Sequence, residues 1–137
     1  MIEYEKVDAE NIHELPKVET KEVRLLWHSS YWDGPVDGLL IYKGRKYWFE
    51  MLDDGEVPGD VRRFLIIELS PAELDEEERW HELFRAKVGM HCDYDEAGKA
   101  RLGELRPKEM WSEFYAAYDR RKPRQWSGNR VIAWFEG

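Results

Sequence analysis

The chain has 137 residues, 42% of them hydrophobic, and sets 29 Asp and Glu against 21 Lys and Arg for a formal net charge of -8. This length suits one domain with a real core, and the apolar content excludes a disordered or low-complexity chain. The longest apolar run, residues 131–135, is too short to span a bilayer, residues 1–20 hold no apolar secretory core, and the single cysteine, Cys92, excludes an internal disulfide or a multi-cysteine zinc site.

In chain order, residues 1–20 are polar, with isolated apolar positions at Ile2, Tyr4, Val7, Ile12 and Leu15. They are expected to form an irregular or marginally helical arm ahead of a single domain over residues 21–137. Five strand-like runs follow. Residues 22–28 place Val23, Leu25 and Trp27 on one face. Residues 38–42 and 45–52 flank Lys43-Gly44, whose glycine supplies a positive φ, and read as a hairpin. Residues 61–69 put Val61, Leu65, Ile67 and Leu69 on one side, with Arg63 the exception, and residues 130–135 close the chain as an aromatic strand.

Two helices fall between the last two strands. The first opens on Ser70-Pro71-Ala72-Glu73, in which Ser70 caps, Pro71 takes the first helical position and Glu73 completes a capping box. Leu74, Trp80, Phe84 and Val88 share its apolar face, and Gly89 ends it. The second starts at Pro107, carries Met110, Trp111, Phe114, Tyr115 and Tyr118 at helical spacing, and stops at Pro123. The expected fold is therefore α+β: an antiparallel sheet of four to five strands, with two helices packed on one face and inserted before the last strand. The glycine spacing matches neither a dinucleotide fingerprint nor a P-loop.

The net charge hides an asymmetry. Residues 1–98 hold 24 acids and 12 bases, whereas residues 99–137 hold five acids and nine bases. An acidic chain repels nucleic-acid phosphates and attracts basic protein partners. The turn Tyr31-Trp32-Asp33-Gly34-Pro35 sets two large rings side by side at a tight bend, where both cannot enter a core from one extended segment. Tyr31, Trp32 and Asp33 are accordingly the expected partner-binding rim, with Asp53, Asp54, Glu76 and Glu77 as steering charges.

Compact, acidic and aromatic-rich, the chain has the character of a bacterial immunity or inhibitor protein: cytoplasmic, occluding a basic protein partner, with no catalysis, cofactor, metal or membrane contact of its own. A competing reading gathers His28, Asp33, Glu50, His91 and Cys92 into an enzyme or small-ligand or metal site. His81 and Asp93 extend that polar cluster, because Cys92 pairs better with His28 or His81 through folding than with its neighbour His91. Glu50, alternating with Trp48, is costly there unless paired or exposed and is the acid expected to have a raised pKa. Asp93, Asp95, Gly98 and Glu104 follow part of a calcium-loop spacing, but Ala97 supplies no side-chain oxygen, and a plain turn at Gly98 is preferred. A third reading sets Arg120, Arg121, Lys122, Arg124 and Trp126 against single-stranded nucleic acid.

Overall fold

Lys43 and Gly44 both take positive φ, 50° and 76°, the conformation that matches a two-residue turn to the twist of its flanking strands. In the computed structural model, which describes residues 1–52 and 61–137, this turn joins strand β3 (Pro35–Tyr42) to β4 (Arg45–Met51). The chain forms two compact units, the first comprising residues 1–69 and 126–137 and the second residues 70–125.

In the first unit, β1 (Ile2–Glu3), β2 (Val23–Tyr31), β5 (Arg63–Ile67) and β8 (Arg130–Glu136) join the hairpin. The sheet is antiparallel throughout, in the order β1-β8-β5-β4-β3-β2. Both of its faces are covered. Alternation along β4 sends Phe49 to one side, where it meets Phe64 at 5.8 Å while Phe64 and Phe135 stack at 5.2 Å, among Leu40, Tyr47, Ile66 and Ala133. It sends Trp48 to the other side, between Trp27 at 5.7 Å and Trp126 at 5.6 Å.

Residues 1–20 are tied to this unit along their length. Ile2 and Glu3 pair with Val131 and Arg130, Ile12, Leu15 and Val18 are buried, and Val18 N–H donates to the Trp134 carbonyl at 2.8 Å. The expected grouping of Val23, Leu25 and Trp27 also changes. Leu25 pairs with Leu40 but Trp27 pairs with Leu39, so Leu26 is the extra residue of a bulge, and Trp27 turns to the tryptophan side while Val23 and Leu25 stay with the phenylalanines. Gly38 is required beside this bulge: a Cβ there would lie 2.1 Å from the Trp27 carbonyl oxygen and 2.7 Å from His28 Cα.

The second unit holds helices α1 (Pro71–Lys87) and α2 (Lys108–Tyr118), with a small antiparallel hairpin of β6 (Asp93–Tyr94) and β7 (Ala100–Arg101) between them. The α1 capping box forms as the sequence predicts: Glu73 N–H donates to Ser70 Oγ at 3.1 Å, and Ser70 N–H to Glu73 Oε1 at 2.8 Å. The helices meet through Phe114, whose ring lies 5.3 Å from Phe84 and 6.1 Å from Trp80. The class is α+β with both helices before the last strand, but the expected four to five strands become eight among the described residues. The additional strands, β1, β6 and β7, are two residues each, too short to show alternation.

Candidate functional site

At the end of β2 the chain turns through Asp33 and Gly34, both at positive φ, and leaves Tyr31 64% and Trp32 77% exposed, the most exposed Tyr and Trp among the described residues. The turn is held from several sides. Trp32 N–H donates to the Gly34 carbonyl at 2.8 Å, Arg62 donates to the carbonyls of Trp32 and, at 3.2 Å, Pro35, and Ser30 N–H donates to Asp37 Oδ1 at 2.8 Å. His28 lies with its ring 5.1 Å from Tyr31, so it supports the aromatic pair. Along the same sheet Tyr4 donates its hydroxyl proton to Glu50, whose cross-strand neighbour is Asp37. Burial, and then the charges of Glu50 and Asp37, raise the Tyr4 phenol well above its ordinary pKa. Glu50 thus finds a partner in a residue read as part of the arm.

The steering charges divide. Asp53 and Asp54 lie outside the described residues, and Glu76 is exposed on α1. Glu77 is not a steering charge, because it is buried on the inner side of α1 and accepts from Arg124 Nε at 2.7 Å. Burial works against the Arg124 charge, but the hydrogen bond and charge of Glu77 outweigh it and raise the guanidinium pKa further.

The same face of α1 carries His81, one helical turn beyond Glu77. Residues 90–103 leave and rejoin the unit through a closed backbone seam: Gly103 N–H donates to the Met90 carbonyl at 2.7 Å and Arg106 N–H to the Val88 carbonyl at 2.8 Å. Gly89, at φ 124°, admits this return, since a Cβ there would stand 2.6 Å from the Glu104 carbonyl oxygen. The seam delivers β6 to α1, so that His81 Nε2 lies 2.9 Å from Asp93 Oδ1, with both side chains buried. Cys92, also buried, brings its sulfur to the same place: one ligand-type atom from each of His81, Cys92 and Asp93 lies within 4.8 Å of the other two.

Burial, followed by the Asp93 charge, pushes the Cys92 thiol up to about 12. Burial would raise Asp93, but the His81 hydrogen bond, with the charges of His81, Arg85 and Arg101, holds it below the usual carboxylate range. A thiol so raised is a poor nucleophile, so the cluster does not have the form of a cysteine–histidine catalytic pair. Of the other residues in the competing reading, His28, Asp33 and Glu50 belong to the first unit and His91 and Cys92 to the second. His91 is exposed, its ring edge-on to Phe84 at 5.0 Å.

The calcium-loop residues are otherwise engaged. Asp93 is turned to His81, and Asp95 Oδ1 accepts from the backbone amides of Ala97 and Lys99, both at 2.9 Å, closing the β6–β7 turn in which Gly98 has φ 81°. The basic segment is not the interleaved surface the sequence suggested. Trp126 is buried against Trp48, Arg124 is committed to Glu77, Arg121 lies 4.1 Å over the Tyr118 ring, and Arg120 Nε donates to the Ala116 carbonyl at 2.7 Å. A buried indole offers no platform for a base.

Sequence reasoning missed Tyr4, Arg62 and the Glu77–Arg124 pair. Arg62 and Arg124 gave no local signal of their roles, since each works on residues about thirty or more positions away. No known family model matches the chain, nor does any curated protein or solved structure. Among the described residues no helix is long and apolar enough to cross a membrane.

Proposed function

We propose that the protein is a cytoplasmic, inhibitor-like binding protein that occludes a basic protein partner, with Tyr31 and Trp32 as its anchors and no catalysis of its own. The observation that carries this reading is exposure combined with rigidity. Two large rings stand in solvent on a turn whose backbone is fixed by Arg62, Asp37 and its own Gly34 carbonyl. Rings held in advance lose little conformational freedom on binding, and buried Trp and Tyr are the side chains that most often dominate interface energy. The acidic excess of residues 1–98 supports a basic partner, whose approach it would accelerate.

The test compares the full chain with Trp32→Ala in capture from native lysate, followed by affinity measurement on whatever is retained. Loss of one central Trp should cost at least about 2 kcal/mol, roughly thirtyfold in Kd. The melting temperature should stay close to wild type, because the side chain is largely outside the fold. A well-folded Trp32→Ala protein that captures the same partner with unchanged Kd refutes the proposal, and so does a partner that is acidic.

A further inference from the structure

Three observations meet at the end of β6. His81, Cys92 and Asp93 present a nitrogen, a sulfur and an oxygen within 4.8 Å of one another. The Asp93 side chain is only 9% exposed, and its Oδ2 accepts no hydrogen bond, an arrangement that costs free energy unless something else completes it. Both segments that supply the ligands are fixed: that of His81 by α1, and that of Cys92 and Asp93 by the backbone seam that begins at Gly89. We propose that His81, Cys92 and Asp93 bind a single thiophilic divalent cation of the zinc class, with three protein ligands and one position left for water.

The donor set selects the metal. A thiolate with an imidazole suits zinc and its neighbours in the transition series and is foreign to calcium or magnesium, which take oxygen. Charge supports the same choice, because a divalent cation with one thiolate, one carboxylate and one neutral imidazole sums to zero, the total a buried site tolerates best. Geometry asks for little movement. Tetrahedral bonds of about 2.0 Å to nitrogen and oxygen and about 2.3 Å to sulfur imply ligand separations of roughly 3.3–3.6 Å. The His81–Asp93 contact of 2.9 Å would open slightly as the cation replaces its proton, and the wider separations would close by at most about 1.3 Å. Bound there, the cation would tie α1 to the β6–β7 hairpin.

The experiment strips the full-length protein with chelator and titrates it with cobalt(II), then zinc. The expected result is one equivalent of cobalt giving the intense visible bands of tetrahedral coordination together with a thiolate-to-cobalt charge-transfer band, all bleached by one equivalent of zinc. Cys92 is the sole cysteine, so that band reports on it alone. Cys92→Ser should lose the band, and His81→Gln and Asp93→Asn should weaken binding at least tenfold. Zinc-edge X-ray absorption on the wild-type protein needs no variant and should show one sulfur ligand. Cobalt that stays octahedral in excess metal overturns the proposal. A zinc shell without sulfur also overturns it, as does a tetrahedral spectrum that survives intact in Cys92→Ser.

Discussion

The pair Glu77–Arg124 offers the sharpest test of how the second unit is held together. Both side chains are withdrawn from water, at 7% and 15% exposure, and meet at 2.7 Å. Replacing Glu77 with Leu takes the carboxylate away from a buried guanidinium that keeps the Tyr118 hydroxyl as an acceptor, 3.3 Å from a terminal guanidinium nitrogen. Removing one member of a buried pair costs about 3–5 kcal/mol, and the surviving Tyr118 contact places this loss near the lower end. Arg124→Met strands Glu77 in turn and should cost a similar amount. The double variant strands nothing, and an apolar pair of similar volume should return stability to within about 1–2 kcal/mol of wild type. Urea unfolding of all four proteins, followed by far-ultraviolet circular dichroism, closes the cycle. A coupling energy under about 1 kcal/mol, the level of a solvent-exposed pair, would refute the argument and show that the pair is screened by water.

Two further expectations concern the first unit. Gly38→Ala drives a Cβ into the Trp27 carbonyl and His28 Cα, neither of which can yield without moving backbone, and should cost about 3 kcal/mol or more; a loss under about 1 kcal/mol in urea unfolding would show that the bulge at Leu26 is soft. Tyr4→Phe should cost about 1–2 kcal/mol near neutral pH by removing the donor to Glu50. Because the fold raises the Tyr4 pKa, the unfolded chain ionises first, so its contribution is complete below about pH 10 and declines as pH rises beyond it. Urea midpoints through that range should fall less steeply for Tyr4→Phe than for wild type, with Tyr115, also raised by burial, leaving a residual slope. Equal slopes in the two proteins would rule out this role for Tyr4.

What was legible in the chain was whatever repeats or punctuates. The α1 cap could be read from Ser70-Pro71-Ala72-Glu73, and the β3–β4 turn from Lys43-Gly44, because each is a local arrangement whose partners lie within a few residues. Alternation along β4 put Trp48 and Glu50 on one face before any partner strand was known. A two-residue strand such as β6 has no period to read, and its position follows from the backbone seam at Gly89. Trp27 was assigned to the wrong face for a different reason: one inserted residue, Leu26, inverts a strand's phase from that point on, and nothing in the side chains of residues 25–27 announces the insertion.

The polar side of α1 was readable in principle. Leu74, Trp80, Phe84 and Val88 define an apolar stripe, yet the fully buried helix positions are Glu77 and His81, which fall on the same i, i+4, i+7, i+11 row as Phe84 and Val88. In the acid-rich run 73–78 Glu77 looks like one more solvated charge, and His81 looks marginal beside Trp80. Their common row says otherwise: two ionisable groups on the inward line of a helix demand two buried partners, which must come from elsewhere in the unit. Arg124 meets one from a segment after α2, and Asp93 the other from a segment before it. Such matches are directional where apolar contacts are not, so they fix the rotation of α1 about its axis more sharply than the aromatic rings beside them. The rotation that satisfies Glu77 with Arg124 is also the one that brings His81 to Cys92 and Asp93. The ion pair and the candidate cation site therefore rest on a single register of one helix, and a variant that loses the first should loosen the second.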